Sequence, residues 1–207
     1  MASLEEKYIE HKFQDNNNMK TKVVIIDDFY PNPMEIRQKA LSMEFKVRGN
    51  FPGARTEPYI SGLIYDNIQK SLISTCGKIT HFPTDDYNAS FQIALASDRS
   101  WIHSDIWNDW AGVLYLTPDA PLSGGTGTFK HKKSGLFEHD PDRPDDSKIA
   151  MEQGQDTTCY EKVDIIGNVF NRLVLFRGKS FHMSLDYFGN SLDNGRLFQV
   201  FFFNTER

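Results

Sequence analysis

The runs Asn171-Arg-Leu-Val-Leu-Phe-Arg-Gly-Lys-Ser-Phe-His182 and Arg196-Leu-Phe-Gln-Val-Phe-Phe-Phe203 decide how this chain folds. Both are rich in branched and aromatic apolar residues, the composition of strands, and the turn-forming Gly189-Asn-Ser-Leu-Asp-Asn-Gly195 lies between them. They read as the last strands of a sheet, joined through His182, with Arg196 at the head of the final one. Upstream, Trp110-Ala-Gly-Val-Leu-Tyr-Leu-Thr117 is strand-like up to Pro118, Ala89 to Ala96 alternates partly, and Gly124 to Phe129 reads as a short, glycine-loosened strand.

Further outward the pattern changes. Lys22-Val-Val-Ile-Ile26 reads as a short buried strand, and a helix is expected from Asn32 or Pro33 to about Ser42. A second helix is expected over Gly62–Cys76, with Leu63, Ile64, Ile68, Leu72 and Ile73 on one face and Gly77 as its stop. Gly49 to Pro58 reads as irregular. Residues 130–162 are charged and aperiodic, which suits a long insertion serving as a lid or as a surface loop. Residues 1–20 are polar and read as an arm. Two helices followed by six or more strands, without β-α alternation, predict a mainly β, α+β chain built on an antiparallel barrel or jelly roll. We expect one domain over 1–207, with strand and helical support at 21–80, a core at 88–204 and the insertion at about 130–165.

Within that frame three residues stand out. Trp101-Ile102 leads into His103-Ser-Asp105, and a jelly roll would bring the loop after this early strand beside His182. A His-x-Asp triplet alone says little, since about 0.5 is expected by chance. Its order and strand context, with His182 and Arg196 downstream, say more. Two imidazoles and one carboxylate fill one face of an octahedral Fe(II) and leave three positions open for a chelating co-substrate and O2. Arg196 supplies a fork suited to a carboxylate of that co-substrate. The pattern points to an oxygenase.

Composition bounds the rest. The 207 residues include 16 Phe, 8 Tyr and 3 Trp, ample for one packed core. With net charge −5 and no basic run longer than Lys132-Lys133, a nucleic-acid or anionic-membrane surface is not expected. Two cysteines, Cys76 and Cys159, with no apolar signal core or spanning run, fit a cytoplasmic protein.

The stretch from about 88 to 204 resembles the Fe(II)/2-oxoglutarate-dependent oxygenases, especially their prolyl-4-hydroxylase-like branch. The resemblance rests on His103-x-Asp105, Tyr115-Leu-Thr117, Gly124-Gly-Thr126, Asn171 to His182 and Arg196 to Asn204. It implies a double-stranded β-helix, the cupin-like jelly roll, with His103, Asp105 and His182 as iron ligands. It further implies Arg196 as partner of the distal carboxylate of 2-oxoglutarate. Tyr115 is read either as a second donor to that carboxylate or as an ordinary sheet aromatic, and Gln92 as a polar group near the co-substrate. A protein side chain, such as prolyl, or a small molecule would be hydroxylated.

Other residues have plainer readings. Trp101, Trp107 and Trp110 could shield the metal or touch substrate but are assigned to core packing, and His131 and His139 to a solvated loop. Arg55, in a turn, could approach the site from the helical side and meet an acidic substrate, with a surface or structural role as the default; Arg177 is read as a solvent-exposed loop charge rather than a substrate contact. Two alternatives stay open: a cupin-like metal-binding or isomerase protein, which has no need of Arg196, and a catalytically silent jelly-roll module.

Overall fold

The computed structural model describes residues 22–84 and 87–206, so the expected N-terminal arm lies outside the described residues. The chain opens with β1 (Val23–Ile26), helix α1 (Pro33–Leu41), β2 (Val47–Gly49), β3 (Phe51–Pro58), helix α2 (Gly62–Cys76) and β4 (Ile79–His81). It continues with β5 (Ser90–Ala94), β6 (Trp110–Tyr115), β7 (Thr126–His131), helix α3 (Pro144–Glu152) and β8 (Tyr160–Ile166). The last elements are β9 (Leu173–Arg177), β10 (His182–Ser184) and β11 (Arg196–Thr205). The main antiparallel sheet runs β1-β9-β6-β11-β5-β3-β2, with β4 also on β11, and a smaller sheet runs β10-β7-β8. This is the double-stranded β-helix the sequence led us to expect, mainly β, with α1 and α2 packed on the main sheet and α3 against the smaller one.

Period-two alternation in β11 explains the layering. Leu197, Phe201 and Phe203 point to the helices and are buried there with Leu114, Leu173 and Leu175. Their neighbours Phe198, Val200 and Phe202 face the opposite way and line a cavity between the sheets. Helix α2 closes the first layer with Ile64, Ile68 and Leu72, four residues apart and fully buried. Each contributes roughly 2 kcal/mol of apolar burial. Leu63 and Ile73, expected on the same face, are instead 53% and 49% exposed, because a helical stripe is narrower than their spacing requires.

Two stretches differ from the sequence reading. Gly49 to Pro58, expected to be irregular, forms β3, which pairs with β5 through Ala54↔Ile93 and Arg55↔Gln92. Its prolines, glycine and charges hide the strand pattern, and its extended form is set by the partner strand. Gly53 has φ +72° and lies so near β5 that an added Cβ would sit 1.9 Å from the Ile93 carbonyl oxygen, which only glycine tolerates. Residues 130–162, expected to be aperiodic, contain the end of β7, all of α3 and the start of β8.

His131, expected to be solvated, is fully buried. Its Nδ1 bonds Ser134 Oγ at 2.8 Å and its Nε2 bonds Gln153 Oε1 at 2.7 Å, tying the β7 turn to the end of α3. Truncation leaves two partly buried partners without their bond to the ring and opens a void. His131→Ala is therefore expected to cost about 2–4 kcal/mol in urea unfolding; a loss well below 1 kcal/mol would show that this strut is dispensable. Among the described residues, no helix is long and apolar enough to cross a membrane.

Candidate metal centre

The fold joins the early loop to the late strand directly. His103 and His182 form an isolated antiparallel bridge, each backbone N–H bonding the other's carbonyl at 3.0 and 2.9 Å. Asp105 is anchored next to them, its N–H donating to the Gly178 carbonyl at 2.7 Å. The imidazoles and the carboxylate thus converge across a sequence gap of nearly eighty residues. Each residue can offer one ligand atom so that all three atoms lie within 4.8 Å of one another.

Hydrogen bonding fixes which ring nitrogens face inward. His103 Nδ1 lies 3.0 Å from the Trp101 carbonyl and His182 Nδ1 lies 2.8 Å from the Ser180 carbonyl. A carbonyl only accepts, so each Nδ1 carries its proton and each Nε2 presents a lone pair. The two Nε2 atoms stand 3.8 and 3.4 Å from the Asp105 oxygens. In this tautomer these contacts hold three acceptors together without a proton between them. Ligand atoms about 2.1 Å from one ion and at right angles sit about 3 Å apart, so a small closure satisfies a divalent cation. Burial, then the neighbouring His182, pushes His103 down to about 4, so this ring stays neutral and able to ligate at neutral pH. Burial alone would raise Asp105, but His182 first, with His103 and Arg55, more than offsets it and keeps the carboxyl below its ordinary range.

Arg196 occupies a different depth. It is wholly buried; Nε donates to the Gly124 carbonyl at 2.7 Å and Nη2 to the Gly125 carbonyl at 3.2 Å. Its Nη1 has no partner. The Tyr115 hydroxyl is paired with Thr126 Oγ1 at 2.7 Å, and the Tyr115 ring centroid lies 5.4 Å from the Arg196 guanidinium carbon. Neither Arg196 nor Tyr115 lines the cavity. Phe198 and Tyr187, 4.4 and 5.7 Å from that carbon by ring centroid, do line it, as does Thr126. The guanidinium therefore sits just behind the wall. Thr117 sets its backbone: the hydroxyl donates to the Gly195 carbonyl and accepts from Leu197 N–H, bracketing Arg196.

The cavity measures about 490 Å³ and is lined by the three convergent residues together with Gln92, Trp101 and Trp107. Gln92 is engaged: its Oε1 accepts from Arg55 Nε at 2.8 Å and its Nε2 donates to the Pro52 carbonyl at 2.6 Å. The tryptophans divide. Trp110 is core, as expected, whereas Trp101 and Trp107 line the cavity and Trp107 is 84% exposed. Arg177, read as a loop charge, ends β9 with its guanidinium carbon 4.3 Å from the Trp110 ring centroid.

Gly178 was not picked out from the sequence as part of the site, and Arg55 was weighed as a contact for an acidic substrate but assigned by default to the surface or structure. The signal for Arg55 was a polar side chain amid Phe51, Pro52 and Gly53; for Gly178 there was none. A Cβ on Gly178 would meet the Asn108 and Asp105 carbonyl oxygens at 2.3 and 2.6 Å. Gly178→Ala is expected to push the Asp105 loop away and weaken metal binding about 10- to 100-fold, comparable to losing an outer-shell partner. Unchanged affinity in a metal titration would mean that the loop absorbs the methyl group.

Fold and site together define a double-stranded β-helix protein with a two-histidine, one-carboxylate cluster at the cavity. The chain belongs to the family of unknown function DUF6445, whose profile matches residues 8–202. No curated protein matches it by sequence. Among solved structures it is similar to HygX from Streptomyces hygroscopicus with nickel and 2-oxoglutarate bound, at 10% identity and TM-score 0.58, covering 97% of this chain and 86% of that one. The HygX structure that also holds hygromycin B matches at 11% identity, TM-score 0.58 and the same coverage. A looser likeness, TM-score 0.47 at 14% identity over 98% of this chain and 94% of the other, is to a Trichoplax adhaerens prolyl hydroxylase in complex with a hypoxia inducible factor peptide fragment. At these identities the likeness is one of fold.

Proposed function

We propose that this chain is an Fe(II)/2-oxoglutarate-dependent dioxygenase that hydroxylates a small molecule or a protein side chain. His103, Asp105 and His182 would hold the iron, and Arg196, with Tyr115 and Gln92 nearby, would face the co-substrate end of the site. The observation that carries this reading is Arg196. A wholly buried guanidinium with an orphaned Nη1 and no carboxylate within 4.0 Å among the described residues is costly. It lies on the cavity face of β11, where the distal carboxylate of 2-oxoglutarate would complete it. A cupin-like protein without co-substrate has no use for such a group.

Bound Fe(II), with 2-oxoglutarate and O2, supplies the oxidising power to hydroxylate a C–H bond while the oxo acid is converted to succinate and CO2. The chain's own part is positional. The carbonyls of Trp101 and Ser180 hold both imidazoles in the ligating tautomer, and the Gly178 carbonyl holds the Asp105 backbone. HygX, of the same fold, binds 2-oxoglutarate together with nickel, which supports the reading.

Anaerobic titration with Fe(II) and then 2-oxoglutarate tests it. A weak visible charge-transfer band is expected to grow to one equivalent of the oxo acid. Tight metal binding with no response to 2-oxoglutarate would favour the cupin-like alternative instead.

A further inference from the structure

We propose that Arg55 is the cavity's substrate-recognising residue and that the substrate carries an anionic group, a carboxylate in its simplest form. The inference rests on the dioxygenase reading for the chemistry at the metal and for giving the distal carboxylate of 2-oxoglutarate to Arg196, while the anion preference of Arg55 is read out without it.

Registry places the residue. Arg55 on β3 pairs with Gln92 on β5, Gln92 with Phe198 on β11, and Phe198 with Tyr115 on β6. This rung crosses four adjacent strands. Arg196 stands one rung away on the same face of β11, paired with Ala94. One sheet face therefore carries two guanidinium groups, one behind the cavity wall and one in it.

Their hydrogen bonding differs as well. Gln92 is clamped by the Pro52 carbonyl and directs its oxygen at Arg55 Nε. The Arg55 guanidinium carbon lies 4.0 Å from the Phe51 ring centroid, which fixes the plane of the group. Of the five N–H donors of a guanidinium, only the one on Nε has a protein acceptor among the described residues. No carboxylate lies within 4.0 Å of Arg55 among them either. Arginines with structural roles in this chain look different. Arg37 places Nη1 on the Leu116 carbonyl and Nη2 on the Asp193 carbonyl, and Arg172 forks onto both oxygens of Asp27.

Arg55 thus holds out an oriented, partly desolvated fork with no acceptor, the arrangement that favours a planar bidentate anion. Burial pulls it down to about 10, and the charge that opposes this is Asp105, which a bound cation would neutralise. With the metal in place the guanidinium has no protein counter-charge. On the dioxygenase reading 2-oxoglutarate would not supply one, because one of its carboxylates would go to the metal and the other to Arg196. The group that answers Arg55 comes with the substrate, whose remainder would lie among Phe51, Trp101, Trp107 and Phe202. A net cationic substrate without such a group is disfavoured.

The test uses tryptophan fluorescence, since Trp101 and Trp107 line the cavity. Benzoate and benzamide, matched in shape and differing in charge, are titrated into the full chain with Zn(II) present. Benzoate is expected to bind at least about 10-fold more tightly than benzamide, the scale of a charge-assisted hydrogen bond. That preference is expected to vanish in Arg55→Gln, to survive in part in Arg55→Lys, and to persist in Arg196→Gln. Equal binding of the two probes by the wild type would overturn the proposal without need of any variant. So would a preference that survives Arg55→Gln, or one lost in Arg196→Gln alone. The readout does not depend on 2-oxoglutarate, so absence of the charge-transfer band would remove the dioxygenase reading and leave this result standing.

Discussion

His182→Ala is expected to lower Fe(II) affinity by more than about 100-fold while leaving the chain folded. Replacing a residue that merely supports a metal ligand commonly costs 10- to 100-fold, and this change removes one of three donors outright. The backbone bridge to His103 survives because both of its hydrogen bonds are main-chain. The side chain is buried between the His103 and Phe176 rings, each with its centroid 4.4 Å away, so truncation opens only a small void. About 1–3 kcal/mol of stability should be lost, measurable by urea unfolding of the metal-free protein. Separation of the two readouts is the point. A catalytically silent jelly-roll module predicts the stability loss and no change in metal binding, and Fe(II) affinity equal to wild type would establish that reading.

The residues legible in the sequence are those whose environment is local. The strand runs of β6, β9 and β11 announce themselves by composition, and helix α2 by the spacing of Ile64, Ile68 and Leu72 and its stop at Gly77. His103, Asp105 and His182 were legible through their placement beside strands, and the bridge between the two histidines brings them together. Residues that act through distant partners were not. β3 is a strand because β5 pairs with it, so Phe51-Pro-Gly-Ala-Arg-Thr reads as a turn with Arg55 at the surface by default, and that pairing is what turns Arg55 into the cavity. His131 looked solvated because Lys130, Lys132 and Lys133 surround it in sequence, yet Ser134 and Gln153 satisfy it in the interior. The same limit applies to Arg37, which reaches from α1 to the Leu116 and Asp193 carbonyls and so steadies the loop before Arg196. A helix pattern predicts the face of α1, not that one of its charges is buried beneath the core.

Arg196→Met is expected to raise the Kd for 2-oxoglutarate about 30- to 4000-fold, with Fe(II) binding in its absence unchanged. Truncating one partner of a buried, hydrogen-bonded charge pair costs roughly 2–5 kcal/mol, and each 1.4 kcal/mol is a factor of ten. Stability should move far less. The substitution removes a fully buried charge whose Nη1 is already unpartnered, which relieves desolvation, but it frees the Gly124 and Gly125 carbonyls that the guanidinium now binds. These effects oppose each other, and methionine fills most of the volume against Phe198 and Tyr187. Arg196→Lys keeps the charge without the fork, so its affinity should fall between wild type and Arg196→Met. Isothermal titration of 2-oxoglutarate into the Fe(II)-loaded protein under nitrogen resolves the three. Unchanged 2-oxoglutarate binding with a large loss of stability would instead make Arg196 a strut for the Gly124–Gly125 backbone.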